Sequence, residues 1–112
     1  MDCIFCKIAD GQVKSNICYQ DDKVVVFHDL NPQAPLHLLI IPKHHIQSLD
    51  YIDEENCDFI SHIFKKIPDI AKKFGIENSY RLVSNCGEKA GQSVNHLHFH
   101  ILAGRDMSWP PG

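Results

Sequence analysis

The chain has 112 residues, enough for one domain with a single small core, and its 44% hydrophobic and 22% charged content is ordinary for a globular protein. A net charge of −3 argues against binding along a nucleic-acid backbone, and no window approaches the roughly 18 uninterrupted apolar residues of a membrane helix. The first residues also lack the basic and apolar regions of a secretory signal. We therefore expect residues 1–112 to form a single cytoplasmic domain with no nucleic-acid or membrane partner.

Runs of alternating or β-branched residues predict five strands, separated by polar or glycine-containing segments. In chain order these strands are residues 17–20, 23–29, 37–41, 80–85 and 96–103, after a short helical turn at residues 3–8. The predicted fold class is α+β: a five-stranded, mostly antiparallel sheet with one main helix and a short N-terminal helix.

The main helix is predicted between the third and fourth strands. Apolar residues recur there at helical spacing, after the capping candidate Asp53 and before Gly75. They are Ile60, Ile63, Phe64, Ile67, Ile70, Ala71 and Phe74. Pro68 removes one helical hydrogen bond, so we expect it to kink or split the helix.

The segment from His96 to Leu102 alternates imidazole and apolar side chains. This period of two predicts a half-buried strand with His96, His98 and His100 on one face. Same-face neighbours lie about 6.6 Å apart, and the outer two histidines about 13 Å apart. Because a zinc ion needs its nitrogen ligands at about 2.0–2.1 Å, we expect the three imidazoles to divide their roles. An exposed strand that happens to hold three histidines is the alternative.

The loop before this strand, residues 85–95, carries two glycines and several hydrogen-bonding side chains. Glycines allow backbone N–H groups to approach an anion, and the Ser93 hydroxyl can both donate and accept. A phosphate can therefore sit between this loop and the imidazoles. The alternative is an ordinary surface turn.

Together these residues resemble a known signature. Gly91-Gln92-Ser93, followed after two residues by the segment from His96 to Leu102, resembles the motif of the histidine triad proteins. The tail from residue 103 to 112, which ends in Trp-Pro-Pro-Gly, resembles the Hint branch of that family, the purine nucleoside phosphoramidases. The resemblance also covers residues 4–8, 27–29, 32–35 and 37–46.

The resemblance implies a hydrolase that cleaves the P–N bond of purine nucleoside 5′-phosphoramidates to a nucleoside monophosphate, such as AMP, and an amine. A neutral histidine can attack phosphorus, so His98 is the expected nucleophile, with its other ring nitrogen held by a backbone carbonyl. The intermediate would be a nucleotidyl-histidine. By resemblance the other catalytic residues are His37, Ser93, His96 and His100, and no cofactor is required for the chemistry.

The resemblance also implies a nucleotide pocket. The residues assigned to the phosphate are Asn85, Gly91, Gln92, Ser93, His98 and His100. Asp29 is the candidate for the ribose, because a carboxylate can accept two hydrogen bonds from a vicinal diol. The apolar candidates around the purine base are Ile4, Phe5, Ile8, Phe27 and Leu30.

Cys3 and Cys6 have Cys-x-x-Cys spacing, which suggests a metal rather than a disulfide in a cytoplasmic protein. Two thiolates in a tetrahedral zinc site usually share the metal with two imidazoles. Some members of the wider histidine triad family place zinc on such a pair and on two histidines, which correspond here to His45 and His96. A structural zinc on these four residues is therefore expected. Two reduced, partly buried thiols are the alternative.

Family members form homodimers whose sheets join into one ten-stranded sheet, so the resemblance implies a homodimer. Phe59, Ile60, Ile63 and Phe64 offer apolar area beyond one helix face, although all four can instead face the monomer's own core. By resemblance, the tail with Trp109 would lie near the partner's active site.

Two other functions stay open. A dinucleoside polyphosphate hydrolase, as in the Fhit branch, would release a second nucleotide as the leaving group. A nucleotide-binding regulatory protein would keep the pocket and show little catalysis. Asn95, at a position that is often aromatic in the family, could alter the leaving-group preference.

Overall fold

A five-stranded antiparallel sheet with strand order β1-β2-β3-β5-β4 organises the computed structural model, which describes residues 3–112. The strands are β1 (Ile17–Gln20), β2 (Val24–His28), β3 (Leu36–Pro42), β4 (Tyr80–Val83) and β5 (Phe99–Ala103). The helices are α1 (Ile4–Ala9) and α2 (Cys57–Phe74), with short 3-10 turns at Leu49–Tyr51 and Glu88–Ala90. The predicted fold class is confirmed. Within residues 3–112, neither α-helix has the length and apolar character needed to cross a membrane.

Helix α2 begins later than predicted, at Cys57, because the Asp53 side chain first closes a separate turn. Its Oδ1 accepts two N–H groups of that turn, at 2.9 and 3.0 Å. The helix then continues for 18 residues through Pro68 without being split. Packing of its buried face stabilises the helix despite the hydrogen bond that proline cannot donate. It ends where predicted, at Gly75, whose φ of +67° favours glycine.

The two faces of the sheet carry separate cores. The first core joins α2 to the sheet and includes Ile63, Ile67, Ile70, Leu97, Phe99 and Ile101. The second joins α1 to the sheet and includes Cys3, Phe5, Ile8, Val25, Phe27, Leu39 and Ile41. The prediction of a half-buried histidine strand is wrong, because α1 covers the histidine face. His96 is fully buried and His98 is only 5% exposed.

Strand β5 is shorter than predicted, since it begins at Phe99 and leaves His96 and His98 before it. The ladder with β3 ends at this phenylalanine. Upstream, the N–H of Leu97 donates to the Ile46 carbonyl at 2.6 Å, outside the β3 ladder. The alternation of side chains nevertheless continues, so apolar residues face α2 and imidazoles face α1.

The apolar residues considered for a dimer surface mostly belong to the monomer's own core. Ile63 is fully buried, and Phe59 and Ile60 pack partly buried against the core under α2. Phe64 packs edge-on against Phe99 but is still 49% exposed. Of the four, Phe64 therefore offers the largest free apolar surface.

Candidate active site

His98 is held in one tautomer beside a cavity. Its Nδ1 lies 2.7 Å from the His96 carbonyl oxygen, so Nδ1–H donates and Nε2 keeps a free lone pair. The Phe5 ring packs edge-on against this imidazole, with 5.1 Å between centroids. The Ser84 hydroxyl donates to the His98 carbonyl at 2.8 Å. The backbone carbonyl is the partner predicted from the sequence, whereas Ser84 has no motif that could have identified it.

His37 and His100 form a hydrogen-bonded pair next to His98. The Gln33 N–H donates to His37 Nδ1 at 3.0 Å, so a neutral His37 carries its proton on Nε2. That nitrogen lies 2.8 Å from His100 Nδ1 and 3.4 Å from Asp29 Oδ2. His37 therefore donates to His100, which in turn carries its own proton on Nε2.

Burial keeps this pair neutral near pH 7. It lowers the pKa of His100 to about 4, and the neighbouring His98 and His37 act in the same direction. Burial also lowers the pKa of His37, against the opposing effect of the Asp29 carboxylate. The site thus offers neutral hydrogen-bond donors rather than imidazolium charges.

A cavity of about 300 Å³ lies between α1, β2 and the segment that leads into β5. The predicted nucleotide-binding residues that line it are Ile4, Phe5, Ile8, Phe27, Asp29, Leu30, Ser93, His98 and His100. Sequence reasoning missed Val13, Lys14, Ser15, His28, Leu39 and Val94, which also line it. Val94 follows Ser93 in the loop before β5, and the other five are brought there by the chain turn after α1 and by strands β2 and β3. Asn85, Gly91 and Gln92 do not line this cavity.

The loop before β5 is closed by its own hydrogen bonds, and the phosphate role expected of Gly91 and Gln92 stays a prediction. Their backbone N–H groups donate to the carbonyls of Glu88 and Gly87 at 3.0 and 3.1 Å. The Gln92 side chain makes three further hydrogen bonds to backbone groups. Ser93 and Val94 of this loop line the cavity, and the Ser93 hydroxyl makes no hydrogen bond to any of residues 3–112.

Cys3, Cys6, His45 and His96 come together, as the sequence predicts for metal ligands. His96 Nδ1 lies 3.5 Å from both sulfur atoms and 3.2 Å from His45 Nδ1, and Cys6 Sγ lies 3.3 Å from His45 Nδ1. Tetrahedral zinc, with bonds of about 2.3 Å to sulfur and 2.0–2.1 Å to nitrogen, requires separations of about 3.6 Å between sulfur and nitrogen and about 3.3 Å between nitrogens. The four donors therefore fit such an ion.

Local structure prepares these donors for a metal. His96 Nε2–H donates to the Pro42 carbonyl at 2.8 Å, which leaves Nδ1 unprotonated towards the cluster, and burial lowers the pKa of His96 to about 4. Cys3 caps α1, so the first helical turn presents both sulfurs. Burial and the Cys3 side chain raise the pKa of Cys6 to about 11, and a bound metal would displace that proton.

The C-terminal tail contacts strand β4. The Arg81 guanidinium donates to the Ser108 carbonyl at 2.9 Å, and its central carbon lies 6.0 Å from the centre of the Trp109 ring. Trp109 is nevertheless 80% exposed. The tail thus presents an indole ring at the edge of the sheet.

Comparisons with known proteins agree with this geometry. Residues 2–109 match the family profile described as "Scavenger mRNA decapping enzyme C-term binding". An uncharacterized HIT-like protein of Synechocystis sp. is 44% identical, over 99% of this chain and 97% of its own length. The chain belongs to the histidine triad (HIT) family. The "14 kDa zinc-binding protein" of Zea mays is 42% identical to this HIT protein, over 97% of this chain and 87% of its own length.

Solved structures of HIT proteins share the fold throughout. A HIT family hydrolase from Legionella pneumophila superimposes with a TM-score of 0.95 and 41% identity, covering 99% of this chain and all 100% of that chain. A histidine triad protein from Clostridium difficile gives a TM-score of 0.92 and 50% identity, covering 96% of this chain and 95% of that one. The chain therefore has the nucleotide-binding fold of HIT hydrolases.

Proposed function

We propose that this HIT protein hydrolyses the P–N bond of purine nucleoside 5′-phosphoramidates, as in the Hint branch, and releases a nucleoside monophosphate and an amine. One observation carries the proposal: the buried His98 keeps an unprotonated Nε2 and borders a cavity of nucleoside size. The neutral imidazole is the nucleophilic form, so His98 needs little further activation.

The reaction consists of two displacements at phosphorus. The Nε2 lone pair of His98 forms a bond to phosphorus while the P–N bond breaks, and the amine departs with that electron pair and takes up a proton. Water then attacks phosphorus, loses a proton, and breaks the bond to His98, which is restored as the monophosphate leaves. Such transfers depend mainly on positioning and on stabilising charge on the non-bridging oxygens.

The residues around His98 supply that positioning. His100 donates from Nε2 to a non-bridging oxygen, because its Nδ1 already accepts from His37. Ser93 lines the cavity, and its hydroxyl, which makes no hydrogen bond within residues 3–112, can help the departing amine to take up its proton. His37 is a positioning residue, since it acts on the substrate only through His100. His96 supplies the carbonyl that fixes the tautomer of His98.

The apolar part of the cavity suits a purine nucleoside. Side chains from α1 and β2 form its walls, and their few polar neighbours can orient the sugar. Asp29 lines the same cavity, and its Oδ2 lies 3.4 Å from His37 Nε2. We assign this carboxylate to the ribose hydroxyls.

We also propose that the cluster of Cys3, Cys6, His45 and His96 holds a structural zinc. The separations of its donor atoms support this assignment, and so does the name of the maize relative. When bound, the ion would cross-link α1 to the segments that follow β3 and precede β5. We propose that it takes no direct part in the displacement, since none of the four residues lines the nucleotide cavity.

A homodimer through β4 is the proposed assembly. Strand β4 ends the sheet, and a groove of about 500 Å³ beside it is lined by Phe64, Ile67, Pro68, Asn78, Tyr80 and Leu82. Pairing of two β4 edges would join two sheets of five strands into one of ten. It would also bring the Trp109 tail, which contacts Arg81 of β4, close to the second copy. Sedimentation at micromolar concentration should give the mass of two chains; the mass of one chain would contradict the dimer.

The decisive experiment is steady-state hydrolysis of a fluorogenic adenosine phosphoramidate by the wild type and by His98→Ala. We expect kcat to fall by about a thousandfold or more in the variant, as for the loss of a covalent nucleophile. His44→Ala is the matched control, because His44 is exposed and stacks on Phe59 outside the cavity. A wild-type protein that binds AMP but releases no amine would contradict the proposal and favour a nucleotide-binding regulatory protein.

A dinucleoside polyphosphate hydrolase is the second candidate. The observation that favours it is the description of the matching family profile, which names an mRNA decapping enzyme. The same His98 chemistry would then release a nucleotide rather than an amine. Faster turnover of diadenosine polyphosphate than of the phosphoramidate would favour this candidate over the phosphoramidase.

A further inference from the structure

One lysine lines the nucleotide cavity, and the reaction proposed above does not use it. Among the described residues that form the cavity walls, Lys14 is the only lysine or arginine, and Asp29 is the only carboxylate. Within residues 3–112 the exposed Lys14 side chain makes no ion pair, with Asp29 or any other group, and no hydrogen bond. Its ammonium can therefore donate to a bound ligand.

Lys14 belongs to the end of the cavity that is distant from the nucleophile. Near the start of α1, the Phe5 ring packs against the His98 imidazole. The chain leaves α1 at the other end, where the Val13 N–H donates to the carbonyl of Lys7 in the last helical turn at 3.3 Å. Lys14 follows Val13 directly. With the phosphate beside His98, the base of the nucleotide therefore lies towards Lys14.

The backbone around Lys14 is held on both sides. Before it, the Gln12 N–H donates to the Lys7 carbonyl at 2.9 Å, and after it, the His28 N–H donates to the Asn16 carbonyl at 3.0 Å. These bonds fix the segment between α1 and β1 against the cavity. Only the side chain of Lys14 has to be ordered when it binds a ligand, which limits the entropy lost.

The other polar groups on this side of the cavity do not distinguish one purine from another. The His28 imidazole packs edge-on against Phe74, with 5.9 Å between ring centroids, and so faces α2. The Ser15 hydroxyl has no hydrogen-bond partner in the described part of the chain, and a hydroxyl can donate or accept. Ser15 therefore suits a carbonyl and an amino group equally. Lysine, by contrast, only donates.

A group that only donates separates the purines at their position 6. Guanine and hypoxanthine carry a carbonyl oxygen there, next to the acceptor N7, whereas adenine carries an amino group that is itself a donor. An ammonium can bind O6 and N7 of a 6-oxopurine together, and this is a common specific contact of lysine with guanine. On adenine the same ammonium meets one acceptor and one donor.

We propose that Lys14 is a specificity-determining residue, which makes the cavity prefer 6-oxopurine nucleotides, those of guanine and hypoxanthine, over adenine nucleotides. The inference rests on the proposed function, which places the phosphate beside His98, and it names the base of that substrate. Lys14 forms hydrogen bonds to the base and does not touch the reacting atoms, so its effect should appear in KM.

The test compares guanosine, inosine and adenosine 5′-phosphoramidates of one fluorogenic amine in the wild type and in Lys14→Met. Methionine keeps an unbranched side chain of similar length and removes the charge. We expect the wild-type KM to be lower for the guanosine and inosine substrates than for the adenosine substrate by about three- to tenfold, as for one exposed hydrogen bond. In Lys14→Met the three KM values should converge.

Lys65→Met is the matched control, because Lys65 is an exposed lysine on α2, on the other face of the sheet, and its loss should leave the wild-type order of the substrates unchanged. A ratio of the guanosine and adenosine KM values that is the same in Lys14→Met and in the wild type overturns the role of Lys14. An inosine substrate that behaves like the adenosine substrate also overturns it, because O6 is then not the group recognised.

Calorimetric titration with GMP, IMP and AMP makes the same comparison without hydrolysis. A preference for GMP and IMP that Lys14→Met abolishes supports the base assignment even if none of the three phosphoramidates is hydrolysed, and that absence of turnover would overturn the phosphoramidase alone. Hydrolysis of all three substrates with equal affinity for the three monophosphates overturns the base assignment and leaves the phosphoramidase standing.

Discussion

His96 and His98 lie two residues apart and are both buried, yet they are prepared for different chemistry. Each donates one ring N–H to a backbone carbonyl: His96 from Nε2 to Pro42, and His98 from Nδ1 to His96. Because the two imidazoles donate from different ring nitrogens, they keep free lone pairs on different nitrogens as well. Nδ1 of His96 faces the cysteine and histidine cluster, whereas Nε2 of His98 is available to the cavity. The ring nitrogen that each carbonyl engages therefore separates the proposed metal ligand, His96, from the proposed nucleophile, His98.

The two regions are coupled in one direction. The carbonyl that fixes the tautomer of His98 belongs to His96, whose imidazole joins the proposed zinc cluster. Disturbing the cluster should therefore disturb the nucleophile, but replacing the nucleophile should leave the cluster intact. Variants in the cluster and variants in the active site test whether the coupling runs in only one direction.

The broadest effect, on zinc content, stability and activity together, is expected from Cys6→Ser, which removes one sulfur from the cluster. Zinc content should fall from about one equivalent to below about a tenth, and the free energy of unfolding should fall by at least about 2 kcal/mol, or about 10 °C in Tm. Because His96 then loses its metal partner, kcat should also fall by about tenfold. Metal analysis, thermal unfolding and the phosphoramidate assay measure the three effects.

Cys57→Ser is the control for this variant, since Cys57 is an exposed cysteine at the start of α2. It should retain zinc, Tm and activity. Full zinc occupancy in Cys6→Ser would contradict the ligand assignment. Loss of zinc with unchanged kcat would break the proposed connection through the His96 carbonyl.

His37→Ala tests the active-site half by itself. It removes the donor to His100 Nδ1, so His100 can change tautomer and turn its proton away from the phosphate. We expect kcat to fall by about a hundredfold, as for a misplaced catalytic group, with zinc content unchanged. His37→Gln, whose amide can still donate, should recover part of the rate. Equal rates in the two variants would argue against a donor role for His37.

The sequence predicts which side chains share a face better than it predicts where the strands and helices begin and end. The alternation from His96 to Leu102 correctly separates imidazoles from apolar residues, although only His100 of the three histidines lies in β5. Cys-x-x-Cys spacing carries its own chemical meaning and predicts the pair of thiolates, whereas His45 and His96 are assigned to the cluster by resemblance to the family. Such local patterns depend on one segment and need no knowledge of packing.

Features that depend on contacts between distant segments could not be predicted. The covering of the histidine face by α1 joins residues more than ninety positions apart, such as Phe5 and His98. The engagement of the Gln92 amide with Gln47 requires the folded loop in the same way. The role of Ser84 could not be predicted for the same reason, because nothing distinguishes a serine at the end of a strand until the carbonyl that it binds is known.

A smaller effect is expected from pH. His37 and His100 have lowered pKa values in the folded protein, to about 4 for His100, against about 6.5 when unfolded. Below pH 6.5 the unfolded chain therefore binds protons that the folded site does not. The free energy of unfolding keeps its full value above that pH and decreases as the pH is lowered towards 4. Urea unfolding of zinc-saturated protein between pH 7.5 and about 4.5 measures the slope. His100→Asn should flatten it, and an unchanged slope would mean that other groups dominate.

The smallest effect is expected from Ser84→Ala, which removes the hydroxyl that binds the His98 carbonyl. One hydrogen bond contributes about 1 kcal/mol, so Tm should fall by about 4 °C. Ser79→Ala, at an exposed serine before β4, should have no such effect. If Ser84 also positions the nucleophile, kcat falls by severalfold while zinc content is unchanged, because the bond reaches His98 and not the cluster. A stability loss with full activity would leave the His96 carbonyl as the one backbone contact that sets the nucleophile.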